Sequence, residues 1–157
     1  MTYRSVTYRT VLVGTDGSVS SFRAVSTAAS LAAATGATLV LACAYLPMPE
    51  SRRAAAADRL GDLAYKVSGS TPADDALRAA RGHAAAAGAG DVVLASERGD
   101  PVDVLISLAA RHRADLLVVG NRGLNSLAGR LLGSVPSAVS HRASCDVLIV
   151  HTTDGGR

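Results

Sequence analysis

The chain has 157 residues, a length that suits one domain (1–157) in which folding buries roughly 68–70% of the surface exposed by the unfolded chain. Hydrophobic residues make up 48% but aromatics only 3%, so the core is expected to be built from Val, Leu, Ile and many Ala. The net charge of +3 comes from scattered basic residues, which argues against nucleic acid as a partner. No run approaches the ~20 apolar residues of a membrane span, and Met1 to Thr10 lacks an apolar signal segment, so a cytoplasmic location is expected.

The first strand is expected at Thr10–Gly14. Ser18 or Ser20 can cap a helix whose Phe22, Val25, Ala28, Ala29 and Ala32 share one face, and Gly36 ends it. A second strand covers Thr38–Tyr45. The segment 46–71 mixes proline, arginine and alanine, and reads as a flexible connection that can cover a ligand, with a short helix over Ala54–Lys66 inside it. A helix over Ala73–Ala87 leads to a strand at Asp91–Ser96. Asp100-Pro101-Val102-Asp103 then reads as cap, first-turn proline and acidic third position of a helix reaching Arg113, with Val102, Leu105, Ile106 and Ala109 inward. Asp115–Gly120 is the fourth strand. Ser134 caps a helix to Arg142, Asp146–His151 is the fifth strand, and 152–157 is expected to be a disordered tail. Cys43 and Cys145 lie in or beside apolar strands as small hydrophobes, and with four dispersed His they offer no disulfide or metal-ligand spacing.

Strands that alternate with helices argue for an α/β fold, a parallel sheet with helices on both faces. The chemistry is concentrated where strand four, ending at Val119, runs into Gly120-Asn121-Arg122-Gly123, nine further residues and then Gly133-Ser134. Glycines followed by a helix N-terminus gather backbone N–H groups around one small space, which suits a phosphate. Gly120 and Gly123 let the backbone approach the phosphate, and Gly133 aims the N–H groups of Ser134 and Val135 inward. Pro136 removes one donor from that helix start. Arg122 is a candidate partner for the phosphate, with an exposed loop arginine as the alternative. Gly14, Thr15 and Asp16 end strand one and converge on the same crevice if strands one and four are neighbours at a strand-order reversal. Asp16 can accept a hydrogen bond from a nucleoside, or form a local turn with Gly17 and Ser18.

The spacing G-x2-G-x9-G-S, with Val11-Leu12-Val13-Gly14-Thr15-Asp16-Gly17-Ser18 near the start and Val147-Leu148-Ile149-Val150 near the end, resembles the nucleotide-binding branch of the universal stress protein family over nearly the whole chain. V-G-T-D-G-S, A-Y-L-P, G-R-L-L-G-S-V-P and D-V-L-I-V-H-T-T are similar to actinobacterial single-domain members associated with cyclic AMP as well as ATP. The resemblance implies a five-stranded parallel sheet ordered 3-2-1-4-5 in a Rossmann-like adenine-nucleotide fold, and a function in stress response or signalling. It further implies that Asp16 contacts the adenosine moiety, that backbone at Ala44 meets the adenine, and that the last strand, through Val147, Leu148, Ile149 and Val150, forms a homodimer. Many members carry Ser or Thr where this chain has Pro136, so fewer phosphate contacts are expected.

A single lysine, Lys66, and Pro136 leave thin support for a triphosphate. Gly14 is expected to leave room for a compact, ring-closed ligand beside the sugar, so cyclic AMP should bind at least as tightly as ATP, with magnesium relevant only to ATP. There is no P-loop, no G-x-G-x-x-G after strand one and no recognisable catalytic set. At most weak ATP hydrolysis is expected. A slow ATPase and a ligand-free dimeric interaction module are the alternatives.

Overall fold

Alternation within the strands decides the layering. In β1 (Thr10–Gly14), Val11 and Val13 face one side and Leu12 the other, and all three are fully buried, which happens when helices cover both faces of a sheet. The computed structural model describes residues 5, 7–46, 71–122 and 134–152. Its remaining elements are α1 (Val19–Thr35), β2 (Thr38–Tyr45), α2 (Thr71–Ala86), β3 (Val92–Arg98), α3 (Pro101–Arg111), β4 (Leu116–Gly120), α4 (Ser134–Arg142) and β5 (Asp146–Val150). The connection expected within 46–71, with its short helix at 54–66, lies outside the described residues from 47 to 70, as do Gly123 and Gly133.

The five strands are parallel in the order β3-β2-β1-β4-β5. Val11, Val13, Leu39, Leu41, Leu116 and Val118 pack against α1 and α2, whose contributions are mostly alanines such as Ala24, Ala28, Ala29 and Ala80. Leu12, Val40, Ala42, Leu117 and Val119 meet Leu105 and Leu108 of α3 and Val139 of α4 on the opposite face. Val147 and Ile149 pack toward this second layer, while Leu148 and Val150 pack toward the first. Alanine-rich helices sit close to the sheet, which explains how a core with so few aromatics closes.

Local chemistry sets most of the boundaries. Ser18 caps α1, its hydroxyl accepting from Ser21 N–H, and Gly36 at φ 71° ends it. Asp100 caps α3 by accepting from the N–H groups of Val102 and Asp103, with Pro101 in the first turn. Elsewhere the structure departs from the sequence expectations. α2 starts at Thr71, two residues early, because Pro72 is tolerated in a first turn. β3 runs on to Arg98 because Ser96, Glu97 and Arg98 pair with Cys43, Ala44 and Tyr45 of the long β2. α3 stops at Arg111, and Arg113 takes φ 53°. Ser134 is the first residue of α4, not a residue preceding it. Thr152 does not belong to a disordered tail: it is buried, because its N–H and hydroxyl both donate to the Asn121 side chain.

Leu117 lies at the centre of the second layer with no exposed surface. Leu117→Ala is expected to cost roughly 2–5 kcal/mol, seen as a fall in the urea midpoint with an unchanged slope.

Candidate functional site

β1 runs out before its neighbour does. Its ladder with β2 ends at Gly14↔Ala42, and the last bond on that side is from Thr15 N–H to the Ala42 carbonyl at 2.9 Å. β2 continues through Cys43, Ala44 and Tyr45, held from the other side by β3, with Gly99 N–H donating to the Tyr45 carbonyl. Backbone groups of alternate residues in a strand point to the same side, so the N–H and C=O of Ala44 face the space that β1 has vacated. The strand order reverses between β1 and β4, where chain connections part and leave a crevice at the carboxyl ends.

An open cleft of about 640 Å³, counting the space at its mouth, occupies this position. Ala42, Ala44, Pro101, Leu105 and Val119 form an apolar slot. Thr15, Asp16, Ser18, Ser20 and Ser21 form a polar wall, and Gly120, Arg122 and Val135 stand at the glycine-loop end. The cleft thus unites eight of the residues singled out in the sequence, namely Gly14, Thr15, Asp16, Ala44, Val119, Gly120, Arg122 and Val135. Ser134 is exposed beside Val135 but is not on the cleft wall. Gly123 and Gly133 lie outside the described residues.

The polar wall is held by a local network. Thr15, only 7% exposed, accepts from Gly17 N–H at 3.1 Å and shares a hydrogen bond with the Ser21 hydroxyl at 2.7 Å. Asp16 Oδ1 accepts from Ser18 N–H at 2.9 Å, so the local turn forms and the carboxylate still borders the cleft. Burial pushes the Asp16 carboxyl up, but hydrogen bonds from Ser18, from Ser21 and from its own backbone together outweigh it and hold the group below its ordinary value. Asp16 is therefore ionised at neutral pH and acts as an acceptor, suited to the hydroxyl groups of a sugar. Arg122 is the cation on the cleft wall among the described residues. Cys43 takes no part, since burial pushes its thiol up to about 11. Among the described residues no group of three or more His, Cys, Asp or Glu could hold a metal ion, and no helix is long and apolar enough to cross a membrane.

Two glycines on the cleft wall each stand against a side chain from elsewhere in the fold. A Cβ at Gly14 would lie 3.0 Å from Leu105 Cδ2, so the space freed by this glycine is filled by Leu105 and is not available to a ligand. A Cβ at Gly120 would lie 3.0 Å from Thr152 Cγ2, so Gly120 makes room for Thr152. Sequence reasoning missed Leu105 and Thr152 as cleft residues, since each is brought in by packing across the sheet. Ser18 and Ser20 carried a signal as helix-cap candidates, and the cleft lies directly over that cap.

The family model described as the universal stress protein family matches residues 7–151. Universal stress protein Rv1636 of Mycobacterium tuberculosis is 56% identical over 146 residues, covering 93% of this chain and 98% of its own. A crystal structure of a universal stress protein in complex with cAMP is 47% identical, with a TM-score of 0.72 over 94% of this chain and all (100%) of that one. Universal stress protein UspA from Lactobacillus plantarum is 25% identical, with a TM-score of 0.72 over 93% of this chain and 99% of its own.

The Thr15 hydroxyl is the acceptor for Gly17 N–H in a turn where Gly17 has φ 82°. Thr15→Val keeps the shape and removes that acceptor, and is expected to cost about 1–3 kcal/mol, measured by chemical denaturation.

Proposed function

The chain belongs to the universal stress protein family, and from that premise we propose that its cleft binds an adenine nucleotide, with occupancy serving stress response or signalling in the cytoplasm. The observation that carries this reading is the early end of β1, which turns the Ala44 N–H and C=O toward an apolar slot. A flat base with one donor and one acceptor on its edge matches that pair, and Ala42, Pro101, Leu105 and Val119 supply contact for its faces. Asp16 accepts from the ribose. The phosphate lies at the glycine-loop end, against Arg122, the N–H of Val135 and the sequence-derived Gly123, Gly133 and Ser134.

Cyclic AMP is proposed to bind at least as tightly as ATP. The presence of cAMP in the relative that is 47% identical supports this, and so does the scarcity of cations: Arg122 is the one basic residue on the cleft wall among the described residues, and Pro136 sits in the first turn of α4 without an N–H. Gly14 contributes nothing to this preference, because Leu105 occupies the space beside it. Magnesium is relevant only to bound ATP.

We also propose a homodimer through β5, an edge strand whose Val147, Leu148, Ile149 and Val150 are only partly covered, since an unprotected apolar edge pairs readily.

Three measurements test these assignments. Competition titration of cAMP and ATP, with and without magnesium, is expected to favour cAMP or show parity; ATP ahead by about tenfold, 1.4 kcal/mol, reverses the preference, and no binding of either defeats the reading. Gly133→Val is expected to abolish most binding in a folded protein, whereas Asp16→Ala should weaken it by about 1.5–3 kcal/mol for a lost charged hydrogen bond. Light scattering at tens of micromolar should give a dimer mass, and Ile149→Asp the monomer mass.

A further inference from the structure

Hydrogen bonding between β4 and β5 does not stop where their strand pairing does. The ladder closes at Gly120↔Val150, and Asn121 N–H adds one more backbone bond to the Val150 carbonyl at 2.9 Å. Beyond it the link passes to side chains. Asn121 Oδ1 accepts from Thr152 N–H at 2.9 Å and from the Thr152 hydroxyl at 3.0 Å, which uses both of its lone pairs. With Oδ1 so committed, Asn121 Nδ2 is the donor toward His151 Nδ1 at 3.2 Å. The Thr152 carbonyl in turn accepts from Arg23 Nη1 of α1 at 3.4 Å.

Thr152 is 4% exposed, borders the cleft, and sets its methyl group against Gly120 where a side chain would otherwise stand. Asn121 is the residue immediately before Arg122, which borders the same cleft. A residue this buried, more than a hundred positions from Arg23 and 31 from Asn121, joins the exits of two strands and the first helix at the point where the chain enters its glycine segment.

Resting on the nucleotide-binding reading above, we infer that Asn121 and Thr152 form a clasp that sets the direction in which the chain leaves β4, and so places Arg122 for the phosphate. Thr152 is a positioning residue. Its hydroxyl acts through Asn121, and its methyl group packs against Gly120. A side chain at Gly120 would crowd Thr152, since its Cβ would lie 3.0 Å from Thr152 Cγ2.

Calorimetry with cAMP on the full chain tests this, at a temperature where circular dichroism shows each variant folded. Thr152→Val keeps the methyl group and removes the hydroxyl donor, and is expected to weaken binding about tenfold, as is Asn121→Ala. The double variant should bind no more weakly than Asn121→Ala alone, because the two groups act as one unit. Thr152→Ser, which restores the donor, should return affinity to within about twofold of the parent. A purely structural role predicts the opposite split, a lower melting temperature with unchanged affinity. If Thr152→Val does not fold, Asn121→Ala and Thr152→Ser decide the matter. A parent chain that binds cAMP alongside Asn121→Ala and Thr152→Val affinities within about twofold of it overturns the clasp alone. A parent chain that binds neither cAMP nor ATP overturns the nucleotide reading and the clasp with it.

Discussion

The site depends on a mismatch in length between two neighbouring strands. β1 ends at Gly14 opposite Ala42, yet β2 goes on to Tyr45 because β3 supports it residue by residue from the other side. Backbone polar groups released from a ladder at the edge of a protein core are costly to leave unpaired. Here they open into a cleft where a ligand with a matching edge can take them. Thr15 turns away from the strand at this point, and its N–H to Ala42 makes the last bond before the chain bends into α1. The same bend brings the capping serines over the cleft, so one chain reversal supplies both the floor and the polar wall.

Small residues set the geometry around that opening. Gly14 and Gly120 end the two strands that flank the reversal in strand order, and each yields its side-chain volume to a partner from elsewhere, Leu105 from α3 and Thr152 from beyond β5. Packing at native density leaves no spare room for both. The consequence is that the cleft wall is made by residues whose own positions depend on the whole sheet being assembled. The alanine-rich faces of α1 and α2 serve the same end, holding the first layer close to the sheet.

Charge in the cleft is sparse and arranged rather than abundant. Asp16 stays ionised because hydrogen bonds from Ser18, Ser21 and its own backbone together outweigh the effect of its burial, and Arg122 borders the same cleft. The turn around Asp16 is stiffened by the Thr15 and Ser21 hydroxyls, which bond to each other, and by the bonds that Thr15, Ser18 and Ser21 hydroxyls make to the backbone, so the acceptor is held in place before a ligand arrives.

The alternation of apolar runs and helical periods, the cap at Asp100, a serine cap at Ser18 or Ser20 that the structure resolves to Ser18, and the stop at Gly36 were legible in the sequence, because each rests on chemistry within a few neighbouring residues. The strand order was reached through family resemblance, and the convergence of Gly14, Thr15 and Asp16 with Gly120 and Arg122 followed from it. What remained hidden was everything decided by contacts across the sheet. β3 reaches Arg98 only because β2 offers it a partner. Gly14 looked like room for a ligand and proved to be room for Leu105. Thr152 looked like the start of a loose tail, since nothing beside it in the chain holds it, and its partners Asn121 and Arg23 lie 31 and 129 positions away. Local propensity is written in neighbouring residues and can be read there; which side chain fills the space a glycine leaves is settled only when distant segments pack together.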